Sequence, residues 1–575
     1  MAEFSLTTIK ILAGSKIVLL VYLLLLWWSW RKRARPVVFL ALTALAIIIF
    51  YIVLAIPCQR MWWGTTGDEL YIAAFLQQVL SGHLWSDFYY AYLPTFYPPL
   101  YFWLTGGLAA LLSVHNAIVA TKIGIVLTLA SWFFVSYFAF KLFWSKIYKY
   151  QDDRPAIISQ PWFWWLLPTI YLLLLDFDTI LLKPYEAVSA LFMVIWLMLW
   201  SHIFSQSQWP KKYYWCFGLS GAILFLLFYF WWLIIIPVLL LLIVGQKDRA
   251  QQLKRLFWVG IIIFLAALPY LFPIFLSGWR YGWENWLATF FVPSDFFTFN
   301  PWSLVSIRGF LWLAGLLGLL WTYHQAKHSR ACLWALVACY LYQALGLVFF
   351  IFGTKPLLPA KPFMFLGSAL VAVGLSQILV YTYQYYQTNK PKYLSIFVIA
   401  VSLILVTQLP MIKFVDNQNI LHQLEKDLVA PQATLQLADT IRAKVPDYQQ
   451  RTWLSSGLPE LNAYLPLSYY IVYSPHFSHP AAVYSQRLRL IEDMALATSS
   501  LDFMKIIAQG KPRPIDALLL YNDPNDPQFY TLFFWQDKYP NGGQESQIYL
   551  AKNLISDQDW QLIDAANNWL IFIKK

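Results

Sequence analysis

Long apolar segments recur along the first 409 residues, and they constrain the fold of this chain more than any other feature. Most of them approach or reach the length that crosses about 30 Å of hydrocarbon as a helix. The 575 residues are 59% hydrophobic and only 12% charged, whereas soluble domains carry about 25% charged residues. The sequence therefore predicts a mainly α, polytopic bundle of helices embedded in a lipid bilayer.

The composition changes after Pro410 to that of an ordinary soluble domain. An amphipathic helix pattern covers 434–445, and strand-like runs cover 517–521 and 530–535. We therefore expect two domains, a transmembrane catalytic domain at 1–409 and a small α/β domain at 410–575, which we call the tail.

Six basic clusters lie between the apolar segments, at 31–35, 141–154, 211–212, 247–255, 327–330 and 390–392. Cytoplasmic loops of membrane proteins are rich in Lys and Arg, so the clusters indicate topology and not nucleic-acid binding. Placing all of them inside puts both termini and the tail outside the plasma membrane. The expected spans are then about 11–30, 37–57, 118–140, 161–177, 186–204, 213–229, 231–244, 256–276, 304–322, 331–352, 363–380 and 393–409.

One apolar segment, 98–113, does not fit this scheme, because counting it as a span would place the next basic cluster outside. Its length of about 16 residues favours an interfacial or re-entrant helix. A thirteenth span is the alternative. The four cysteines all lie in or beside apolar segments, so no disulfide framework is expected.

Two adjacent carboxylates, Asp68 and Glu69, stand in the first external loop of a chain that otherwise avoids charge. Thr66 and Glu69 have the spacing of a capping box, which would make the pair a helix start. That interpretation leaves Asp68 unused, and a carboxylate at a helix start facing a cleft can also serve as a general base. The two interpretations are compatible.

Aromatic and basic side chains accompany the acids in the external loops. Trp62, Trp63 and Trp85 belong either to an interfacial belt or to a surface that stacks on sugars. Lysines and arginines at span ends often only extend toward the headgroups, but fixed cations there can also hold a lipid phosphate. The candidates for phosphate binding are Lys355 and Lys361, both in a Pro-rich loop, and with less support Lys183 and Arg308.

The tail contains His476 and His479 in HxxH spacing, which is more typical of hydrogen-bonding residues than of metal ligands when a Pro adjoins them. No phosphate-binding glycine loop, CxxC pair or HExxH motif occurs, so nucleotide, zinc and peptidase sites are not predicted. The sequence names no certain cofactor and no metal ligand, and leaves a divalent metal requirement open.

Several short motifs together resemble the GT-C glycosyltransferases, and among them the galactan 5-O-arabinofuranosyltransferases. They are GDELYIAAF at 67–75, TFYPPLYFW at 95–103, KPYE at 183–186, GTKPLLPAKPF at 353–363, HFSHPAAVYSQRLRLIEDMA at 476–495, IDALLLY at 515–521 and YPNGG at 539–543. The resemblance implies a polyprenyl-phosphate pentofuranose donor, a galactofuranose-containing cell-envelope glycan as acceptor, Asp68 as catalytic base and an inverting transfer.

The predicted mechanism is therefore direct displacement with Asp68 as base, Glu69 orienting it, and Lys355 or Lys361 stabilising the phosphate. The tail is expected to bind the acceptor, with His476, His479 and Arg487 as candidates beside a purely structural role. The alternatives are a GT-C transferase with another sugar or acceptor, a lipid-linked sugar transporter, and a non-enzymatic scaffold. A transporter should show polar residues at mid-span and related halves, and few such residues and no evident repeat are found.

Overall fold

The computed structural model describes residues 4–32, 36–60, 68–141, 160–175, 177–204, 209–244, 246, 248–284, 305–352, 360–390, 393, 418–455, 458–537, 543–563 and 568–575. Helices of the membrane part, numbered in chain order, are α1 Leu6–Arg31, α2 Pro36–Ala55, α3 Asp68–Leu80, α4 Leu100–Leu111, α5 Ala117–Ala139, α6 Phe163–Leu175, α7 Phe177–Leu182, α8 Pro184–Ile203, α9 Lys211–Phe228, α10 Trp232–Val244, α11 Arg249–Tyr281, α12 Ile307–Thr322, α13 Lys327–Ile351 and α14 Ala360–Asn389.

Eight helical segments of the described residues are long and apolar enough to cross a membrane, which confirms a multi-pass membrane protein. They are α1, α2, α5, α8, the continuous stretch Lys211–Val244, α11, α13 and α14. The predicted spans at 161–177 and 304–322 correspond to the shorter apolar helices α6 and α12. The predicted span at 393–409 and the predicted domain boundary at 409/410 lie outside the described residues, save for residue 393.

The stretch Lys211–Val244 folds back on itself at a 3-10 turn, Tyr229–Trp231, between α9 and α10. The Phe217 ring of α9 and the Trp232 ring of α10 both contact Trp196 of α8, with centroids 5.5 and 5.3 Å away. A straight helix would separate these two residues by about 22 Å along its axis. The prediction of two separate helices here therefore agrees with the structure.

The segment predicted to be interfacial or re-entrant forms α4, which packs on α3 and α5. Its 12 residues make a helix only about 18 Å long, shorter than the hydrocarbon core. Its C-terminal end is followed by α5, whose Asn116 cap accepts hydrogen bonds from the backbone N–H groups of Ile118 and Val119.

Close backbone contact fixes α12 against α14. A Cβ atom added to Gly315 would collide with the carbonyl oxygen of Val371, and one added to Gly374 would collide with the carbonyl oxygen of Gly315. Small residues let membrane helices approach in this way. The contact holds α14, which begins beside the site described below.

The tail is an α/β domain, as predicted. Its helices are α15 Gln418–Asp427, α16 Gln432–Lys444, α17 Tyr484–Ala495 and α18 Ser500–Ala508, and its strands are β1 Thr452–Ser455, β2 Ser468–Ile471, β3 Ala517–Tyr521, β4 Phe529–Asp537, β5 Gly543–Ala551, β6 Trp560–Ile563 and β7 Trp569–Lys574. The helix expected at 434–445 and the strands expected at 517–521 and 530–535 all form, with shifts of one or two residues at their ends.

One sheet contains the seven described strands. Five follow the order β2-β1-β3-β4-β5; outside this order, β7 also pairs with β3, and β6 pairs with β7. Strands β1, β2 and β3 are parallel, and the other pairs are antiparallel. All four cysteines are described and none forms a disulfide, in agreement with the sequence.

The tail packs directly on the loop after α3. The backbone N–H of Tyr469 in β2 donates to the carbonyl of Tyr89 over 2.7 Å. The Asn462 side chain donates to the carbonyl of Phe88 over 3.3 Å, and the Tyr90 and Ser478 hydroxyls are 3.0 Å apart. The loop after α3 is therefore covered by the tail.

Candidate active site

Asp68 is the first residue of α3, so its carboxylate lies at the positive end of a helix dipole. The cap predicted at Thr66 lies outside the described residues. Asp68 Oδ2 accepts from the Lys183 ammonium over 2.7 Å, and both side chains are about one third exposed, at 32% and 28%. Water therefore screens this pair, which contributes little to stability.

The charges around Asp68 keep it ionised. Partial burial alone would raise the pKa of the carboxyl group, but the ammonium groups of Lys183 and Lys361, the hydrogen bond from Lys183 and then the charge of His476 outweigh burial. The pKa of Asp68 therefore lies below its ordinary value. An ionised carboxylate is the state that a general base requires.

A second ion pair lies beside the first and is much more deeply buried. Lys361, at the start of α14, donates to Glu186 Oε1 over 2.6 Å, and the Glu186 side chain is fully buried. The Tyr185 hydroxyl donates to the same oxygen over 2.8 Å, and the Lys361 ammonium lies 5.4 Å from the centroid of the Phe228 ring. A buried pair with these extra contacts is costly to break by removing one partner.

Glu186 was not predicted as a site residue, although KPYE was among the recognised motifs. The available signal was an acid in the first turn of a long apolar helix, directly after an external Lys-Pro pair. The two ion pairs, Asp68–Lys183 and Glu186–Lys361, lie side by side and together carry no net charge. They come from the starts of three helices, α3, α8 and α14, and from Lys183 just before α8.

Aromatic rings form the wall of the site next to the charges. Tyr71 of α3 stacks on Tyr97 with centroids 4.7 Å apart, and it contacts Tyr185 at 6.0 Å and Phe477 of the tail at 6.3 Å. Burial and the charge of Asp68 raise the pKa of Tyr97 well above its ordinary value. The wall thus joins the first loop, the membrane helices and the tail.

An apolar groove of about 500 Å³ runs down from this wall between α4, α5, α8 and α9. Near the site it is lined by Tyr101, whose ring is 6.1 Å from that of Tyr185, and by Leu227, which precedes Phe228. At its other end it reaches Phe138 and Cys216. The groove therefore begins near the aromatic wall and extends into the depth of the bundle, and none of the four charged side chains lines it.

Glu69 does not share the contacts described for Asp68. Consecutive helical residues point about 100° apart, and Glu69 is buried beside a cavity of about 20 Å³ that Tyr51, Cys58 and Lys122 also line. Its predicted role in orienting Asp68 stays a prediction.

The other membrane-part candidates are dispersed. Arg308 is buried one turn before Trp312, whose ring is 5.5 Å from Phe363, so it lies near the start of α14. Trp85 is half exposed and packs edge-on against Trp103 at 4.7 Å, a pair outside the aromatic wall. Trp62, Trp63 and Lys355 lie outside the described residues.

The three tail candidates have different surroundings. His476 lies next to Phe477 in the segment 475–482 and is near enough to Asp68 for its charge to act on it. His479 is buried, its Nδ1 accepts from the backbone N–H of Ala481 over 2.9 Å, and burial lowers its pKa to about 3.

Arg487 is also buried. The guanidinium donates to the carbonyls of Ala482 and Tyr470 and to the Tyr92 hydroxyl. The rings of Tyr90, Tyr92 and Tyr470 surround it at 5.0 to 5.6 Å. His479 and Arg487 are thus both buried, and the acceptor contact predicted for them stays a prediction.

No group of three or more His, Cys, Asp and Glu side chains suited to a metal ion occurs in the described part of the chain. The carboxylates of Asp68 and Glu186 are each held by an ammonium group. The residues of this site therefore do not fit a metal centre as they stand.

Comparison with known proteins supports the resemblance seen in the motifs. Residues 4–140 match the family model described as "Arabinofuranosyltransferase N terminal". A search of curated protein sequences gives no significant match.

Among solved structures, the arabinofuranosyltransferase AftD from Mycobacteria has a TM-score of 0.51 at 14% identity, covering 93% of this chain and 41% of that chain. ArnT from Cupriavidus metallidurans, solved bound to undecaprenyl phosphate, has a TM-score of 0.49 at 13% identity and covers 93% of this chain and 97% of that chain. The Archaeoglobus fulgidus oligosaccharyltransferase, solved with a tethered acceptor peptide, has a TM-score of 0.42 at 10% identity and covers 89% and 76%.

The fold comparison thus confirms the expected class, a polytopic helical bundle followed by an α/β domain. The amino-terminal segment is thus similar to the arabinofuranosyltransferase N-terminal family, and the chain shares the fold of the arabinofuranosyltransferase AftD.

Proposed function

We propose that the protein transfers an arabinofuranosyl or related pentofuranosyl residue from a polyprenyl-phosphate donor to a cell-envelope glycan, with Asp68 as base. The match of residues 4–140 to the arabinofuranosyltransferase N-terminal family supports this sugar class. The observation that carries the proposal is the position of two carboxylate–lysine pairs at the end of a long apolar groove.

The groove and the lysines fit the two ends of one lipid. A polyprenyl chain is apolar, and the groove of about 500 Å³ has almost entirely apolar walls that start beside Tyr185 and Phe228. The Lys361 ammonium lies over the Phe228 ring at that same end. A donor whose chain occupies the groove therefore carries its phosphate to Lys361 and Lys183.

The reaction is a single displacement at the anomeric carbon. The oxygen of an acceptor hydroxyl forms a bond to that carbon, while the bond from the carbon to the phosphate oxygen breaks. The bonding electrons leave with the polyprenyl phosphate, and the acceptor proton passes to Asp68. Ammonium groups within contact of the leaving phosphate stabilise the charge that develops on it.

The ion pairs also link donor binding to base strength. Without donor, Lys183 holds Asp68 and Lys361 holds Glu186. A donor phosphate competes with these carboxylates for the same ammonium groups. When Lys183 turns to the phosphate, Asp68 loses its nearest cation, and its pKa rises toward the range of a more effective base.

The helix directions place the site away from the basic clusters. Lys211 starts α9, and the site lies at the other end of that helix. Lys390 follows α14, which begins at the site. Since basic clusters favour the cytoplasm, the site and the tail face the outside of the plasma membrane.

An acceptor approaches between the membrane helices and the tail. The segment 475–482, with His476 and Phe477, lies over the aromatic wall beside Asp68. Tyrosine rings there offer flat faces to a sugar ring. The tail thus contributes to the acceptor side of the site through this segment.

The test uses the purified full chain in lipid nanodiscs, a radiolabelled polyprenyl-phosphate arabinofuranose and a galactofuranosyl oligosaccharide, with products separated by chromatography. We expect a labelled glycan that forms with the wild type and not with Asp68→Asn. Polyprenyl-phosphate mannose and glucose serve as competing donors. Transfer of a hexose with no transfer of arabinose would leave the glycosyltransferase fold in place but overturn the proposed donor.

A further inference from the structure

The end of α11 and the start of α17 form a junction between the membrane part and the tail. Helix α11 ends at Gly282, whose φ of 101° suits a residue without a Cβ atom. Two residues further, the backbone N–H of Glu284 donates to the carbonyl of Pro480 over 3.0 Å. The Glu284 carboxylate accepts from the backbone N–H of Ser485 over 3.0 Å. One residue of the membrane part therefore binds the tail on both sides of the turn that leads into α17.

Helix α17 uses this outside partner because its own sequence provides no side-chain cap. The residue at the N-cap is Val483, whose side chain makes no capping hydrogen bond. Valine is among the least favoured residues at this position, where Ser, Thr, Asp and Asn lead. Glu284, 201 positions from Ser485 in the sequence, supplies the acceptor and places a negative charge at the positive end of the helix dipole.

The backbone of Val483 is strained. Its φ of 50° and ψ of 69° lie in the left-handed region, which β-branched residues rarely adopt. Such a residue persists only where the surrounding structure over-determines it, and strained residues cluster at functional sites. Here α11 lies on one side, since a Cβ atom added to Gly282 would be 3.4 Å from Val483 Cγ2. On the other side the Arg487 guanidinium donates to the carbonyl of Ala482.

The junction holds the end of the segment 475–482, which carries His476 and Phe477. The Phe477 ring lies 6.3 Å from the ring of Tyr71 in the aromatic wall, and the charge of His476 acts on Asp68. Pro480, to which Glu284 is bonded, follows Phe477 by three residues. The cap of α17 is therefore a fixed point next to the acceptor side of the site.

We propose that Glu284 is a positioning residue for acceptor binding, which keeps His476 and Phe477 over Asp68 by capping α17. The inference rests on the proposed function for the identity of the acceptor. Without the cap, the segment 475–482 populates other conformations, and the acceptor binds only the fraction of molecules in which the segment is in place. Donor binding does not depend on the cap, because Lys183 and Lys361 belong to the membrane part.

The experiment compares Glu284→Ala, Glu284→Gln and the control Glu492→Ala, which removes an exposed glutamate of α17. It uses the purified full chain in nanodiscs with the galactofuranosyl oligosaccharide as acceptor. Loss of a cap changes a conformational equilibrium by roughly threefold to tenfold, so Glu284→Ala should raise the acceptor KM by up to that factor, with kcat and the donor KM nearly unchanged. Glu284→Gln retains an oxygen acceptor and should stay near the wild type. Hydrogen exchange of residues 475–485, followed by mass spectrometry, should become faster in Glu284→Ala and not in the other two variants.

The kinetic and exchange results separate a positioning role from a merely structural one. A fall in kcat at unchanged acceptor KM, or unchanged exchange of residues 475–485 in Glu284→Ala, would refute the inference. An equal effect of Glu284→Gln or of Glu492→Ala would refute it as well. Faster exchange together with weaker oligosaccharide binding by calorimetry, in a protein that transfers no arabinose, would support the role of Glu284 and refute the proposed reaction.

Discussion

Replacing Asp68 by Asn tests whether the carboxylate acts as a base, because losing its ion pair should cost little stability and losing the base should cost most of the activity. Asn has nearly the same size, can accept the Lys183 hydrogen bond and suits a helix start. It loses the negative charge and the capacity to take a proton. The pair with Lys183 spans 2.7 Å, but both side chains are about one third exposed, so its loss should cost only about 0–1 kcal/mol of stability.

The effect on the reaction should be much larger. General-base assistance contributes about 10²- to 10⁴-fold, which corresponds to roughly 2.7–5.4 kcal/mol in the barrier. We therefore expect transfer at saturating donor and acceptor to fall by at least about two decades, while the melting temperature stays close to that of the wild type. The assay is the arabinose transfer described above, run beside thermal unfolding in the same nanodiscs.

The matched control is Lys183→Gln, which breaks the same ion pair but leaves the carboxylate. It should change the melting temperature about as much as Asp68→Asn does, and it should weaken donor use. Because Lys183 also faces the leaving phosphate, this control reports on stability and not on the rate of transfer at saturating donor. Wild-type transfer by Asp68→Asn would refute the assignment of Asp68 as base.

Three further predictions concern the charges around the site. Glu186→Gln should destabilise the protein by about 3–5 kcal/mol, because it leaves the Lys361 ammonium buried without its carboxylate; the double variant with Lys361→Met should recover most of the loss in melting temperature. Lys183→Gln should move the acidic limb of the kcat/KM profile to higher pH, since burial of Asp68 persists while its main cation is gone; an unmoved limb would show that Asp68 does not determine it. Burial raises the pKa of Asp87 in the first loop to about 7, above about 3.9 in an unfolded chain. The folded state therefore binds more protons between these values, stability falls as pH rises through that window, and Asp87→Asn should flatten this fall in melting temperature.

The helical architecture was predictable because apolar length and basic clusters report on the bilayer directly. Segments at 213–229 and 231–244 were separable in the sequence, and they form α9 and α10 with a tight turn between them. Two of the seven described tail strands, at 517–521 and 529–537, were predictable from short apolar and aromatic runs. These helices and strands depend on residues that are close together in the sequence, so one sequence is enough to predict them.

The site was predictable only in part, because it depends on residues far apart in the chain. Asp68 stood out as an acid in an apolar context. Glu186 did not, since its partner Lys361 is 175 positions away and only the packing of α8 against the start of α14 brings them together. The HxxH spacing drew attention to His479, yet this side chain serves as a local cap. The hydrogen bonds from Arg487 to two carbonyls and a tyrosine hydroxyl were likewise not predictable, because two of the acceptors, Tyr470 and Tyr92, are distant in the sequence.

The groove beside the site is open on its flank, because several residues that line it, among them Leu104, Phe138 and Ile223, also have exposed side chains. Under the proposed function, the donor enters sideways from the leaflet and its spent lipid phosphate leaves by the same route. Encounter then takes place by diffusion in two dimensions. The quantity that sets the rate is the mole fraction of donor among the surrounding lipids, so diluting nanodiscs in buffer should leave turnover unchanged, whereas adding inert phospholipid at constant donor should lower it.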